Sequence, residues 1–66
     1  MLNYRIKVKG IVDGFIKAEI TSVLGDVSRR QFSQAAFEEY VEAKQLYCDH
    51  KGYGLVVDDS LLREDN

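Results

Sequence analysis

The chain holds 66 residues, with nine Lys and Arg against eleven Asp and Glu, one Cys and no Pro, for a net charge of -2. So short a chain buries only about 60% of the surface it exposes when unfolded, which leaves room for one domain (1–66) and one thin core. It has no apolar run near the roughly 20 residues of a membrane span, no second cysteine for an internal disulfide, and no secretory-type start, so a cytoplasmic protein is expected.

The first strand is expected over 2–12. Leu2, Tyr4, Ile6 and Val8 alternate with Asn3, Arg5, Lys7 and Lys9, the period of a half-buried strand. A second strand, 15–24, carries its apolar row on Ile16, Ala18 and Ile20. Both rows are even-numbered, whereas a two-residue turn at Asp13-Gly14 sets even against odd and scatters the core over both faces. The favoured remedy is a three-residue loop, Val12-Asp13-Gly14, with Gly14 left-handed. A bulge at Gly10 corrects the parity equally well.

Ser28 and Gln31 have capping-box spacing, with Asp26 as an alternative cap. They predict a helix over 28–50 that closes on Gly52. Phe32, Ala36, Tyr40, Ala43 and Tyr47 then fall on one stripe, flanked by Ala35 and Leu46, and should pack on the sheet. Phe37, Val41 and Cys48 lie farther round, so the apolar arc spans about 240° where about 100° is usual. Residues 53–58 read as a third strand with Leu55 and Val57 inward, and 60–66 as a loose tail.

Motifs of chemistry are scarce. There is no glycine-rich phosphate loop. Cys48 and His50 stand two apart on a helix and point in different directions, a poor nucleophile–base pair. Asp58 and Asp59 are adjacent on a strand and face opposite sides, which does not suit one metal ion. No catalytic residue, cofactor or metal site is expected.

Charge is unevenly placed. Residues 1–30 carry six cations against three acids, and residues 31–66 three against eight. The outer sheet face is expected to hold Arg5, Lys7, Lys9 and Lys17, a pattern open to single-stranded nucleic acid.

The expected fold is therefore α+β: a ββαβ domain with a mainly antiparallel three-stranded sheet, order 2-1-3, and one long helix on one face. In size and element order it resembles small bacterial or phage-encoded adaptor and inhibitor domains that dock on a larger machine, a likeness of architecture alone. The expected function is a non-catalytic protein-binding module using Phe37, Val41, Cys48 and Glu38, with a second copy of the chain as a further candidate partner. The alternative is nucleic-acid binding through Arg5, Lys7, Lys9 and Lys17.

Overall fold

The computed structural model describes residues 2–62. The first two strands, β1 (Asn3–Val12) and β2 (Phe15–Thr21), pair antiparallel through a tight turn at Asp13 and Gly14, whose φ values are 53° and 81°. Two successive left-handed residues make the two-residue turn that suits the twist of a hairpin. The parity problem is solved by the bulge. Val12 pairs with Phe15 and Gly10 with Lys17, the register slips between Val8 and Gly10, and from there Val8 meets Ala18 and Ile6 meets Ile20. The three-residue loop is thus replaced by a two-residue turn, with Lys9 absorbed as the extra residue.

Residues 27–32 do not begin the helix. They form β3 (Val27–Phe32), antiparallel to β2. The chain reverses over residues 22–26, where Ser22 N–H donates to the Asp26 carbonyl at 2.8 Å. The Ser22 hydroxyl accepts from the amides of Leu24 and Asp26. Gly25 takes φ 94° in this turn, a conformation that favours glycine. The Ser28/Gln31 spacing is therefore fortuitous. The helix α1 (Gln34–Lys51) is capped by Ser33, whose hydroxyl accepts from Ala36 N at 3.2 Å, and it closes on Gly52 at φ 79°. That C-cap is the one expected.

The last strand, β4 (Gly54–Asp58), adds beside β1 and parallel to it, so the sheet has four strands in the order β3-β2-β1-β4. The extra reversal at β3 turns a wholly antiparallel sheet into a mixed one. A short 3₁₀ turn, Ser60–Leu62, follows. Asp58 starts it, accepting from the Ser60 hydroxyl at 3.1 Å.

The helix covers one face of the sheet. Ile6, Val8, Ile16, Ala18, Ile20 and Phe37 form the core, with Tyr4, Phe32, Tyr40, Val41, Leu55, Val57 and Leu62 packed around it. The inward stripe of α1 is Phe37, Tyr40, Val41, Lys44 and Cys48. Of the expected stripe Tyr40 is kept, whereas Ala35, Ala36, Ala43 and Leu46 face water, as does much of Tyr47. Size decides the rotation. Burying Phe37 and Val41 removes far more apolar surface than burying alanines, and an exposed alanine in a helix is well tolerated. Phe32, no longer on the helix, stacks from β3 on Phe37 and Tyr40, with ring centroids 5.8 and 4.9 Å apart.

Lys44 belongs to this seam without breaking it. Its Nζ lies 4.9, 5.4 and 5.2 Å from the ring centroids of Tyr4, Tyr40 and Tyr47, where the ring faces attract a cation. Its aliphatic stem can cover apolar surface meanwhile.

Candidate functional site

Two surfaces collect the residues singled out in the sequence, one on each side of the sheet.

The first is a groove beside the helix. It is lined by Phe37, Glu38, Val41, Glu42 and Gln45 of α1, with Gln34 at one end and Ile16, Val57, Asp59 and Leu62 opposite, and encloses about 430 Å³. It exists because α1 lies across the inner face without filling the corner between itself and β4. Its floor is apolar, through Phe37, Val41, Val57 and Leu62. Its rim is acidic, through Glu38, Glu42 and Asp59.

Phe37, Val41 and Glu38 thus come together as the sequence reading proposed, in altered roles. Phe37 is 4% exposed and serves as floor, Val41 is half-buried, and Glu38 stands in solvent. Cys48 does not join them. It is fully buried and lines no part of the groove, and burial pushes its thiol pKa up. The expectation of an exposed Phe37/Val41/Cys48 patch is corrected: two of the three are interior. Val57 was expected inward but not at a partner site, and neither it nor Asp59 and Leu62 was joined to the helix, because that depends on where β4 docks; Glu42, on the helix itself, was not singled out for a site.

The second surface is the open face of the sheet, which no helix covers among the described residues. Arg5, Lys7, Lys9 and Lys17 all reach solvent here. The strand at 27–32 adds Arg29 and Gln31, missed while that segment was read as helix. Its inward residues, Ser28, Arg30 and Phe32, and its outward ones, Val27, Arg29 and Gln31, form no apolar row, so the sequence offers no period-2 signal there.

The register sorts these charges. Across the four strands Arg29, Glu19, Lys7 and Asp58 stand side by side, alternating in sign. Arg29 Nε lies 3.6 Å from Glu19 Oε2. Cross-strand neighbours of opposite charge suit one another, so this row is largely self-compensated. The next row runs Gln31, Lys17 and Gly10 with Lys9 bulged alongside, and contains no acid. Here a depression of about 340 Å³ is lined by Lys9, Lys17, Arg29, Arg30 and Gln31 over Ala18. Phe15, 45% exposed, stands on the same face two residues from Lys17.

Elsewhere, Tyr40 has its pKa pushed up to about 12, by burial first and by the Tyr4 hydroxyl second. Among the described residues no three His, Cys, Asp or Glu side chains gather as a metal ion would require, and no helix is long and apolar enough to cross a membrane. No protein family, curated protein or solved structure matches this chain.

Proposed function

We propose that this protein is a non-catalytic protein-binding module, and that its partner inserts an apolar side chain flanked by Lys or Arg into the groove between α1 and β4. Such a module acts by occupancy, as an adaptor that tethers or an inhibitor that blocks. One observation carries the reading: the groove joins an apolar floor to an acidic rim. Its volume is in the range of pockets that hold specific ligands, roughly 300–1,000 Å³. An apolar anchor in a desolvated pocket supplies affinity, while rim charges set orientation and encounter rate. Glu38, Glu42 and Asp59 therefore select a basic-flanked anchor over an acidic one.

Selection of displayed random peptides on the immobilised protein, discarding any that also bind a Val41→Glu variant, tests this. The expected survivors carry one large apolar residue with Lys or Arg beside it. Val41→Glu should weaken a synthetic copy by at least about tenfold, the scale of a central interface residue. Survivors that are acidic, or none at all, overturn the reading. So does self-association of the chain that Val41→Glu abolishes, since the occupant is then a second copy.

A further inference from the structure

We infer that the open face of the sheet is a separate binding surface for the sugar-phosphate backbone of a single-stranded nucleic acid, seated at Lys9 and Lys17. This inference does not rest on the groove, which lies on the other side of the sheet.

Three features carry it. Uncompensated positive charge is concentrated in one place. The row holding Lys17 and the bulged Lys9 has no carboxylate, and Gln31 lines the depression beside them. A phosphate in this hollow meets two ammonium groups on different strands. Second, the charge continues along β1. Arg5 and Lys7 stand two residues apart on the same face, about 6.8 Å for an antiparallel strand, and lead toward the bulged Lys9, with Lys7 shared between Glu19 and Asp58. Third, Phe15 stands two residues from Lys17 on the same face of β2 with nearly half its surface in water, a ring on which a base next to the Lys17-bound phosphate can stack.

The overall net charge of -2 does not argue against this, because the acids of the helix lie off this face. Glu38, Glu39, Glu42 and Asp49 stand exposed on the helix, behind the sheet as seen by a ligand on its open face. Glu19 and Asp58, the acids on the open face, stand in the row where each has a cation beside it, Glu19 between Arg29 and Lys7 and Asp58 next to Lys7. An acidic protein partner fits less well. The centre of this face is a layer of long cations, without the apolar core that protein interfaces place there.

The test is fluorescence anisotropy with a labelled oligothymidine long enough to cross the four strands, over a salt series. About three phosphate contacts give a slope of log K against log salt of about -2. The Lys9→Glu/Lys17→Glu double variant should retain the circular dichroism of the parent, lose at least about tenfold in affinity at low salt and flatten the slope by about 1.4. Phe15→Ala should cost about tenfold with little change of slope, as loss of one stacked base does. Lys51→Glu, on the end of the helix, should change neither. The inference is overturned by an absence of binding at low salt, or by a Lys51→Glu effect equal to that of the double variant. It is equally overturned if Phe15→Ala is silent and polyglutamate competes as well per charge as the oligonucleotide, since the face then serves acidic chains in general.

Discussion

Replacing Phe37 tests the arrangement on which the groove depends. At 4% exposure the ring is interior, and truncating a buried Phe to Ala costs about 3–5 kcal/mol in transfer and cavity terms. Its edge-on contact with Phe32, centroids 5.8 Å apart, belongs to a class worth about 0.5–1.5 kcal/mol beyond area, so the upper part of that range is expected. A domain of this length has about 3–10 kcal/mol in total at the usual 0.05–0.15 per residue. Phe37→Ala should therefore remove a third of the stability at least, and in a marginal case all of it. Urea unfolding followed by far-ultraviolet circular dichroism reads the loss. With a slope near 1 kcal/mol/M for a small domain, the midpoint falls by about 4–5 M or the folded baseline disappears. Phe37→Leu, at about 1–2 kcal/mol, keeps a transition that can be fitted. Leu46→Ala, at a site 68% exposed, should stay within about 0.5 kcal/mol. A Phe37→Ala midpoint within about 1 M of the parent, or a Leu46→Ala loss as large as that of Phe37→Ala, would refute the inward stripe described for α1.

Ser33→Ala removes the hydroxyl that caps α1 at Ala36 N and should cost about 1 kcal/mol, while Ser33→Asp keeps the acceptor and most of the stability; thermal melts compare the two. The thiol pKa of Cys48 is raised by burial and that of Tyr40 to about 12 by burial and the Tyr4 hydroxyl. Both groups fold in their protonated forms, so their contribution is complete below the unfolded values of about 8.5 and 10. It is lost as pH rises through the folded ones. Urea midpoints should accordingly hold near neutrality and fall above about pH 9, and a thiol-specific disulfide reagent should label native Cys48 far more slowly than the unfolded chain. A midpoint that climbs with pH, or labelling of the native protein at the free-thiol rate, would contradict the burial.

The first hairpin was legible because Ile6, Val8, Ile16, Ala18 and Ile20 all obey one period, and parity alone demanded either a longer loop or a bulge. Choosing between them needed the backbone, since Asp13 can itself take a positive φ and so shorten the turn to two residues. The strand at 27–32 was obscured by its own composition. It is an edge strand whose inward positions include Ser28 and Arg30, and the Arg30 guanidinium ends 5.7 Å from the Tyr40 ring centroid without entering the core. Polar residues at inward positions read as the start of a helix, and Ser28 with Gln31 supplied a false cap. The true cap, Ser33, has no Glu or Gln three residues on, so the capping-box pattern passed over it.

Misplacing that one boundary accounts for the error about the helix. An arc of about 240° counts alanines as equals of Phe and Val, and it gives Lys44 no place in the seam. The tyrosines around Lys44 make that position interior in effect, and Ala35, Ala36 and Ala43 can stay in water at little cost. The apparent surplus of apolar side chains was a surplus of small ones.

The same boundary reshapes the electrostatics. With 27–32 in the sheet, Arg29 moves from the end of an acidic helix to the open face, where it pairs with Glu19 and helps to line the Lys9/Lys17 hollow. The uneven charge along the chain thereby becomes an uneven charge across the molecule, an excess of cations on the open sheet face over Glu19 and Asp58 and an excess of carboxylates on the helix and groove rim. A dipolar surface of this kind steers oppositely charged partners to different sides. A basic-flanked peptide is drawn to the groove and repelled by the sheet; a nucleic-acid strand is treated in the opposite way. The two surfaces are consequently separable by charge reversal: Glu38→Lys with Glu42→Lys should weaken a groove peptide and leave the salt slope of oligonucleotide binding to Lys9 and Lys17 unchanged, because the sites share no side chain.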